Sequence, residues 1–182
     1  YRRSGKNDGN DAEAICEAVQ RPSMRFVPVK SVEQQAILTM HRVRQGYVEE
    51  RTAVINRIRG LLAEFGAILP ARASELRRGV RAASEGLPAL ARASIDDLVA
   101  HLATLDERIG SFDRQLESLA RSDEAVKRLM TVPGVGPLSA LATVATVGRA
   151  HEFKDGRQFA AWLGLVPRQW STGGKSRLGR IT

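Results

Sequence analysis

Residues 94–120, SIDDLVAHLATLDERIGSFDRQLESLA, contain the most regular pattern in the chain. Their apolar side chains recur at alternating steps of three and four, at Ile95, Leu98, Leu102, Leu105, Ile109, Phe112, Leu116 and Leu119. A heptad spacing kept for more than three repeats is typical of a coiled-coil helix, and a helix inside an ordinary bundle is the alternative. Ser94 is a suitable N-cap, and Asp96 and Asp97 suit a helix start, so we predict a helix over 94–120.

A second long helix is predicted over residues 31–65. Ser31 can cap its start, Gln34 can complete a capping box, and Gly66 is a suitable stop. Its apolar residues recur with the period of a straight helix, at Ala36, Met40, Val43, Tyr47, Val54, Ile58, Leu61 and Phe65.

The partner of the 94–120 helix is either the 31–65 helix, the same segment of a second chain, or both. Residues 67–93 lie between the two helices and form a basic insert containing Arg72, Arg77, Arg78 and Arg81. A short helix is expected there around Leu76 and Val80. An antiparallel pair joined through this insert satisfies the geometry most simply, so we predict a mainly α fold with long antiparallel coiled-coil helices.

Composition restricts the class of partner. The 182 residues fit one domain or two small ones, and 43% of them are hydrophobic, which is enough for a packed core. The net charge of +8 and pI near 10.5 favour an anionic partner, most commonly nucleic acid. We expect no membrane partner, because no apolar run has the length of a membrane-spanning helix.

The lone cysteine, Cys16, excludes an intrachain disulfide framework and fits a reducing compartment. It lies in an Ala-rich helical stretch that Pro22 ends, and we expect it to be a small packed residue. Because the chain starts at Tyr1 rather than Met, we interpret it as a fragment of a longer protein.

Residues 129–148, LMTVPGVGPLSALATVATVG, predict a helix end, a tight turn and a helix of small residues. This is the pattern of a helix-hairpin-helix, in which Gly134 and Gly136 let backbone N–H groups approach a phosphate without reading bases. An ordinary helical corner is an equally good interpretation of this stretch alone. The apolar residues that follow are expected to be core rather than base-stacking platforms; they are Phe153, Phe159, Trp162, Leu163, Leu165 and Val166.

Two stretches could carry chemistry. In KNDGNDAEA, residues 6–14, Asp8 and Asp11 lie three apart at a helix start, and paired carboxylates bind Mg²⁺. On this stretch alone an ordinary helix cap is favoured, since a two-metal site needs further acids.

The second stretch is QWSTGGKSRLGRIT, residues 169–182, in which a hydroxyl could act as nucleophile at a phosphate. The residues concerned are Ser171 and Thr172, followed by Gly173 and Gly174 and the cations Lys175, Arg177 and Arg180. Cations hold the charge that develops in phosphoryl transfer. A basic tail that contacts backbone phosphates is the simpler interpretation of this motif.

Four segments in this order resemble transposases of the insertion sequence 110 family, in its 1111 subgroup. They are SGKNDGNDAEAICEAVQRPSMRFVPVKSVEQQ, RTAVINRIRGLLAEFG, VPGVGPLSALATVATVG and FKDGRQFAAWLGLVPRQWSTGGKSRLGRIT. The resemblance covers nearly the whole chain, with the 67–93 insert its least diagnostic part.

The resemblance implies three regions. Residues 1–30 would be the C-terminal end of a RuvC-like (RNase H-like) domain with four acids, of which Asp8 and Asp11 match the last two. Residues 31–122 would be the coiled-coil region. Residues 123–182 would begin a C-terminal transposase domain that carries the helix-hairpin-helix and a serine before a Gly-Gly-Lys stretch, matched by Ser171.

The resemblance also implies function. We expect a bacterial, nucleoid-associated cytoplasmic DNA recombinase that uses Mg²⁺ and a structured guide RNA, assembled as a homo-oligomer (dimer or tetramer) with a site composed from two subunits. The first two acids and the rest of the C-terminal domain are expected to be missing, so the fragment alone should be nearly inactive. The alternative is a non-catalytic helical module for nucleic-acid binding and oligomerisation, in which the two aspartates and the serine are structural.

Overall fold

The computed structural model describes residues 7–22, 24, 29–148, 150, 153–172 and 175–181. The chain divides into two compact units, residues 1–31 and residues 32–182. The described residues form helices and one two-stranded sheet, which confirms the prediction of a mainly α fold. No helix among them is long and apolar enough to cross a lipid bilayer.

The first unit contains helix α1, Asp8–Gln20. Asn7 caps it by accepting a hydrogen bond from the Asn10 N–H at 2.7 Å. The helix ends at Gln20, because the residue before Pro22 is driven to extended backbone. No residue of α1 is buried and the Cys16 thiol is exposed, so the prediction that Cys16 is packed is wrong: none of the described residues of this unit forms a core against the helix. The stretch after Pro22 falls largely on residues outside those described.

Helix α2, Val32–Glu64, confirms the predicted long helix. Its C-terminus is closed by Gly66, whose φ of +80° few other residues adopt. The Gly66 N–H donates to the Ala63 carbonyl at 2.9 Å, and the Ala67 N–H donates to the Leu62 carbonyl at 3.0 Å. These two bonds are those of a Schellman motif, so the predicted stop is confirmed.

Helix α3, Ala73–Ser84, confirms the short helix predicted in the basic insert, with Leu76 and Val80 buried. Helix α4, Ala89–Ser122, begins earlier than predicted. Ser94 is therefore not its N-cap; the Ser94 hydroxyl donates to the Leu90 carbonyl at 3.0 Å from inside the helix. The physical reason is that the preceding Ala-rich residues are strong helix formers, so the helix continues back to Pro88.

The two long helices pair antiparallel within one chain. Arg44 of α2 forms an ion pair with Asp113 of α4, and Arg51, further along α2, pairs with Asp106, further back along α4, at 3.4 Å. The predicted antiparallel arrangement is therefore present, whereas oligomerisation through the same helices stays a prediction. The core between α2, α3 and α4 consists of Val54, Ile55, Ile58, Leu62, Leu76, Val80, Ile95, Leu102 and Leu105.

The ends of both predicted apolar faces are displaced by one residue. On α4, Leu119 is 38% exposed and Ala120 is buried; on α2, Leu61 is 40% exposed and Leu62 is buried, and Phe65 is 52% exposed. The predicted apolar-face positions Leu61, Phe65 and Leu119 are therefore wrong, and so is Val43 of α2, which is 39% exposed. On α4, a straight helix drifts about 20° per heptad against the 3.5-residue repeat, so Ala120 rather than Leu119 faces the core.

Two further helices pack at the end of the α2–α4 pair. They are α5, Glu124–Met130, and α6, Pro137–Val147. Together with the end of α4 they form a second core, against which Ile37 and Met40 of α2 pack. Its buried residues are Leu116 and Ala120 of α4, Val126 of α5, and Ala140 and Leu141 of α6.

Helix α7, Gly156–Trp162, is followed by antiparallel strands β1, Pro167–Thr172, and β2, Lys175–Ile181. The prediction that the aromatic and aliphatic residues of this region are core is wrong for four of them, which are 42–49% exposed: Trp162, Leu163, Leu165 and Val166. The reason is that α7 has only seven residues and leads straight into the strands, so no described layer covers it.

Candidate catalytic and nucleic-acid site

The turn between α5 and α6 is built around Gly134. Its φ of +88° requires glycine, whereas Gly136 has an ordinary φ of −87° and serves as the N-cap of α6. Apart from its chain neighbours, no described residue would lie within 4 Å of a Cβ added at either glycine. The predicted helix, glycine turn and helix are therefore present, and the surface of the turn is open to a ligand.

The start of α6 leaves backbone donors without a capping side chain. Gly136 has no side chain to accept from the first turn, and Pro137 has no N–H. The N–H groups of Leu138 and Ser139 therefore lack a side-chain cap at the positive end of the helix dipole. Such a helix start suits an anion, in particular a phosphate.

The preceding helix holds the turn in place. The Asp123 carboxylate caps α5 by accepting from the Ala125 and Val126 N–H groups at 2.7 and 3.1 Å. Val126 is fully buried in the second core, which joins α5 to α6. Lys127 and Arg128 lie in the last turn of α5, so cations flank the glycine turn.

The two aspartates lie exposed in the first turn of α1. The cap of this helix is Asn7, so the favoured interpretation of Asp8 or Asp11 as the cap is wrong. The sequence contained the signal, since Asn is among the strongest N-cap residues. Carboxylate oxygens suit Mg²⁺, but the described residues contain no group of three or more metal-binding side chains.

The C-terminal stretch contains strands. In the antiparallel register, Ser171 lies opposite Ser176 and Trp170 lies opposite Arg177. Arg177 and Arg180 are exposed, whereas Gly173, Gly174 and the side chains of Ser171, Thr172 and Lys175 lie outside what the structure describes.

These strands were not predicted, although two segments of strand length around a Gly pair are a hairpin signal. Gly179 is needed here for space, because a Cβ on it would lie 2.6 Å from the Trp170 ring. The structure describes the serine strand and the aspartates in different units, each by itself.

Comparison with known proteins identifies both ends of the chain. Residues 126–182 match the model described as "Transposase IS116/IS110/IS902 family", and residues 1–66 match a DEDD transposase model of the IS110 type. Both ends of the chain are therefore similar to transposase domains of the IS110/IS116/IS902 family. The first match spans most of α5, the glycine turn, α6, α7 and both strands, and the second spans α1 and α2.

Curated relatives extend over the whole chain. It is 51% identical to a "Probable family 20 transposase" of Pseudomonas aeruginosa, over 100% of this chain and 55% of that protein. It is 42% identical to the "Transposase for insertion sequence element IS1111A" of Coxiella burnetii, over 98% of this chain and 50% of that protein. It is 40% identical to the "Transposase for insertion sequence element IS1328" of Yersinia enterocolitica, over 99% of this chain and 54% of that protein. The chain thus spans about half the length of these relatives.

Proposed function

We propose that the chain supplies catalytic parts of a DNA transposase, which cuts an insertion sequence from one DNA and joins it to another. One observation carries this proposal: transposase models match both ends of the chain, and the candidate residues fall inside the matches. Asp8 and Asp11 lie within residues 1–66, and Ser171 lies within residues 126–182. The proposed domains are the end of a RuvC-like domain over residues 1–30, a coiled-coil region over 31–122 and the start of a C-terminal transposase domain over 123–182.

Ser171 is the proposed nucleophile. Its hydroxyl oxygen attacks a backbone phosphorus, a serine–phosphate ester bond forms, and the bond from phosphorus to one deoxyribose oxygen breaks. The leaving oxygen takes up a proton and becomes a free strand end. Lys175, Arg177 and Arg180 neutralise the charge that develops on the phosphate; the exposure of Arg177 and Arg180 on β2 supports this role.

Asp8 and Asp11 would hold Mg²⁺ together with further acids. Their fit rests on two observations: both side chains are exposed in one helical turn, and Asn7 rather than either aspartate caps the helix. When bound, the ion would withdraw charge from the reacting phosphate and make the serine hydroxyl a better nucleophile. The aspartates themselves would orient the ion in a site composed from two subunits.

The glycine turn and the start of α6 are proposed to hold a backbone phosphate of DNA. The open surface at Gly134 and Gly136 and the uncapped Leu138 and Ser139 N–H groups support this helix-hairpin-helix role. Such contacts position DNA without reading its sequence. Sequence choice would then come from a structured guide RNA, and the α2–α4 pair would contribute to a homo-oligomer.

The test uses the full-length protein with its RNA and a labelled DNA substrate. Ser171→Ala should abolish the covalent protein–DNA adduct, and the matched Thr172→Ala should retain it. Loss of the adduct in Thr172→Ala alone would move the nucleophile to Thr172.

Asp11→Asn should abolish strand cleavage while DNA binding and the thermal unfolding temperature stay unchanged. Normal recombination by both Ser171→Ala and Asp11→Asn would instead support the non-catalytic module for nucleic-acid binding and oligomerisation.

A further inference from the structure

A groove lies between α5, the C-terminal half of α6 and the segment that leads into α7. Its volume is about 610 Å³, which falls within the range of small-molecule sites. Most of its lining is apolar, including Leu129 of α5, Val144 and Val147 of α6, and Phe153 and Phe159. The established family match and the proposed chemistry assign no role to this groove.

One wall of the groove is aromatic. The Phe153 and Phe159 rings meet edge to face at 5.1 Å, and both side chains are half-buried. Trp162 backs this wall: its ring stacks on Phe159 at 6.2 Å with an interplanar angle of 13°. The wall therefore presents a supported aromatic surface, which is the feature that proteins use to stack unpaired bases.

Two charged groups line the groove, and they differ in whether a described residue bonds to them. The Asp155 carboxylate caps α7 by accepting from the Gln158 N–H at 2.8 Å. Arg128 also lines the groove, and no hydrogen bond or ion pair engages its guanidinium among the described residues. An apolar, aromatic cleft whose Arg128 guanidinium is engaged by none of the described residues complements a nucleotide, whose base is flat and whose phosphate is negative.

The groove lies close to the proposed phosphate site. Leu138, at the start of α6, and Val144, in the groove, are six residues apart on one helix. A rise of ~1.5 Å per residue puts them about 9 Å apart along the axis. At the duplex rise of ~3.4 Å per nucleotide of one strand, about three nucleotides span that distance, and a more extended single strand needs fewer.

We propose that this groove holds one unpaired base of single-stranded DNA, from a strand whose backbone is held at the α6 N-terminus. The base lies against Phe159, and Arg128 pairs with a phosphate of the same strand. This inference rests on the proposed function, which makes DNA the ligand at the glycine turn. A strand opened for cutting and rejoining is a source of such an unpaired base.

The experiment reads the groove directly through Trp162. The chain has two tryptophans, so Trp170→Phe leaves Trp162 as the sole intrinsic probe beside the groove. The full chain with this change is titrated with a single-stranded DNA oligonucleotide and with an abasic oligomer that has the same number of phosphates. The natural oligonucleotide should change Trp162 fluorescence and bind about fivefold or more tightly, as expected for one stacked base. Equal affinity and equal fluorescence change for the two oligomers would overturn the proposal.

Variants assign the effect to the groove. Phe159→Ala should weaken binding of the natural oligonucleotide about fivefold or more and leave abasic and duplex binding unchanged. Phe65→Ala removes a distant exposed aromatic ring and should change nothing. If circular dichroism shows that Phe159→Ala has lost helix, Phe159→Leu takes its place. Unchanged affinity in the folded variant would refute the assignment of Phe159.

Two outcomes separate this inference from the proposed function. If Ser171→Ala retains the adduct but the abasic oligomer still binds more weakly, the base groove stands and the serine chemistry falls. If an RNA oligonucleotide of the same sequence binds about tenfold more tightly than DNA, the assignment of DNA as the occupant falls.

Discussion

At the scale of single residues, the folded structure disfavours the protonated form of His41 in α2. Its Nε2 is buried and has no hydrogen-bond partner among the described residues. Burial, and then the positive charge of Arg44, lowers the pKa of His41 from its usual 6.5. The folded protein therefore binds this proton less readily than the unfolded chain does.

This pKa shift predicts a pH dependence of stability. Between the lowered folded pKa and 6.5, the unfolded chain binds more protons, so the free energy of unfolding rises with pH and falls as pH drops below 6.5. His41→Gln should reduce the difference between unfolding temperatures measured at about pH 7.5 and about pH 5. His101→Gln removes an exposed histidine that is bonded to Glu50 and serves as the matched control. An unchanged pH profile in His41→Gln would show that other groups cause it.

The proposed DNA site depends on the positive φ of Gly134, which shapes the turn between α5 and α6. Its φ of +88° predicts that Gly134→Ala costs about 1–2 kcal/mol of stability through strain and weakens duplex binding by distorting the turn. Gly60→Ala, at an open position inside α2, should instead stabilise the protein by ~0.5–1 kcal/mol. Thermal unfolding and duplex titration of the two variants measure both effects. Equal stability of the two variants would contradict the strained turn.

At the scale of elements, the α2–α4 pair depends on which residues of the heptad pattern are buried. Leu105 is 1% exposed, so Leu105→Asp places a charge in the core and should cost at least ~3 kcal/mol. Leu119 belongs to the same pattern but is 38% exposed, so Leu119→Asp should cost less than ~1 kcal/mol. Urea unfolding followed by circular dichroism measures both. Similar losses in the two variants would mean that Leu119 is also a core residue.

The elements with a strong period and the stop of α2 at Gly66 could be predicted from the sequence, whereas the start of α4 and the last core position on its apolar face could not. The spacing around Leu102 and Leu105 is independent of the partner, so it identifies α4 without any structure. Whether Leu119 or Ala120 faces the core depends on how far a straight helix has drifted, which only the packed pair determines. The start of α4 was missed for a different reason: Ser94 suits a cap and an interior position alike, since its hydroxyl can bond the Leu90 carbonyl.

The candidate site shows the same division. The motifs around Asp8 and Ser171 could be found by resemblance, because they are short and lie in a fixed order. The β1–β2 hairpin was missed although the Gly pair is a hairpin signal, and the contact of the Trp170 ring with Gly179 across its strands could not be predicted from sequence spacing. The groove beside Phe159 was missed too, since aromatic residues in a sequence are more often core.

At the scale of the whole molecule, charge is divided between internal pairing and the surface. Asp106 pairs with both Arg51 and Arg77, which ties α4 to α2 and α3. With +8 on the chain, many cations stay available to a polyanion. Among them, Arg180 of β2 is exposed, next to Ile181, which lies opposite Pro167 in the strand register.

The distribution of cations predicts how DNA binding by the chain responds to salt. Each phosphate that a cation neutralises contributes about −0.9 to the slope of log affinity against log salt for duplex DNA. If Arg180 contacts a phosphate, Arg180→Gln should reduce the slope by about one and weaken binding to all sequences alike. Arg108→Gln is the matched control, because Arg108 lies over the Tyr47 ring at 5.5 Å on the long helices rather than at the turn or strands. Titrations of one duplex at several salt concentrations give both slopes. If Arg180→Gln has the same slope as the unaltered chain, Arg180 does not contact a phosphate. A slope near zero for the unaltered chain would contradict electrostatic DNA binding altogether.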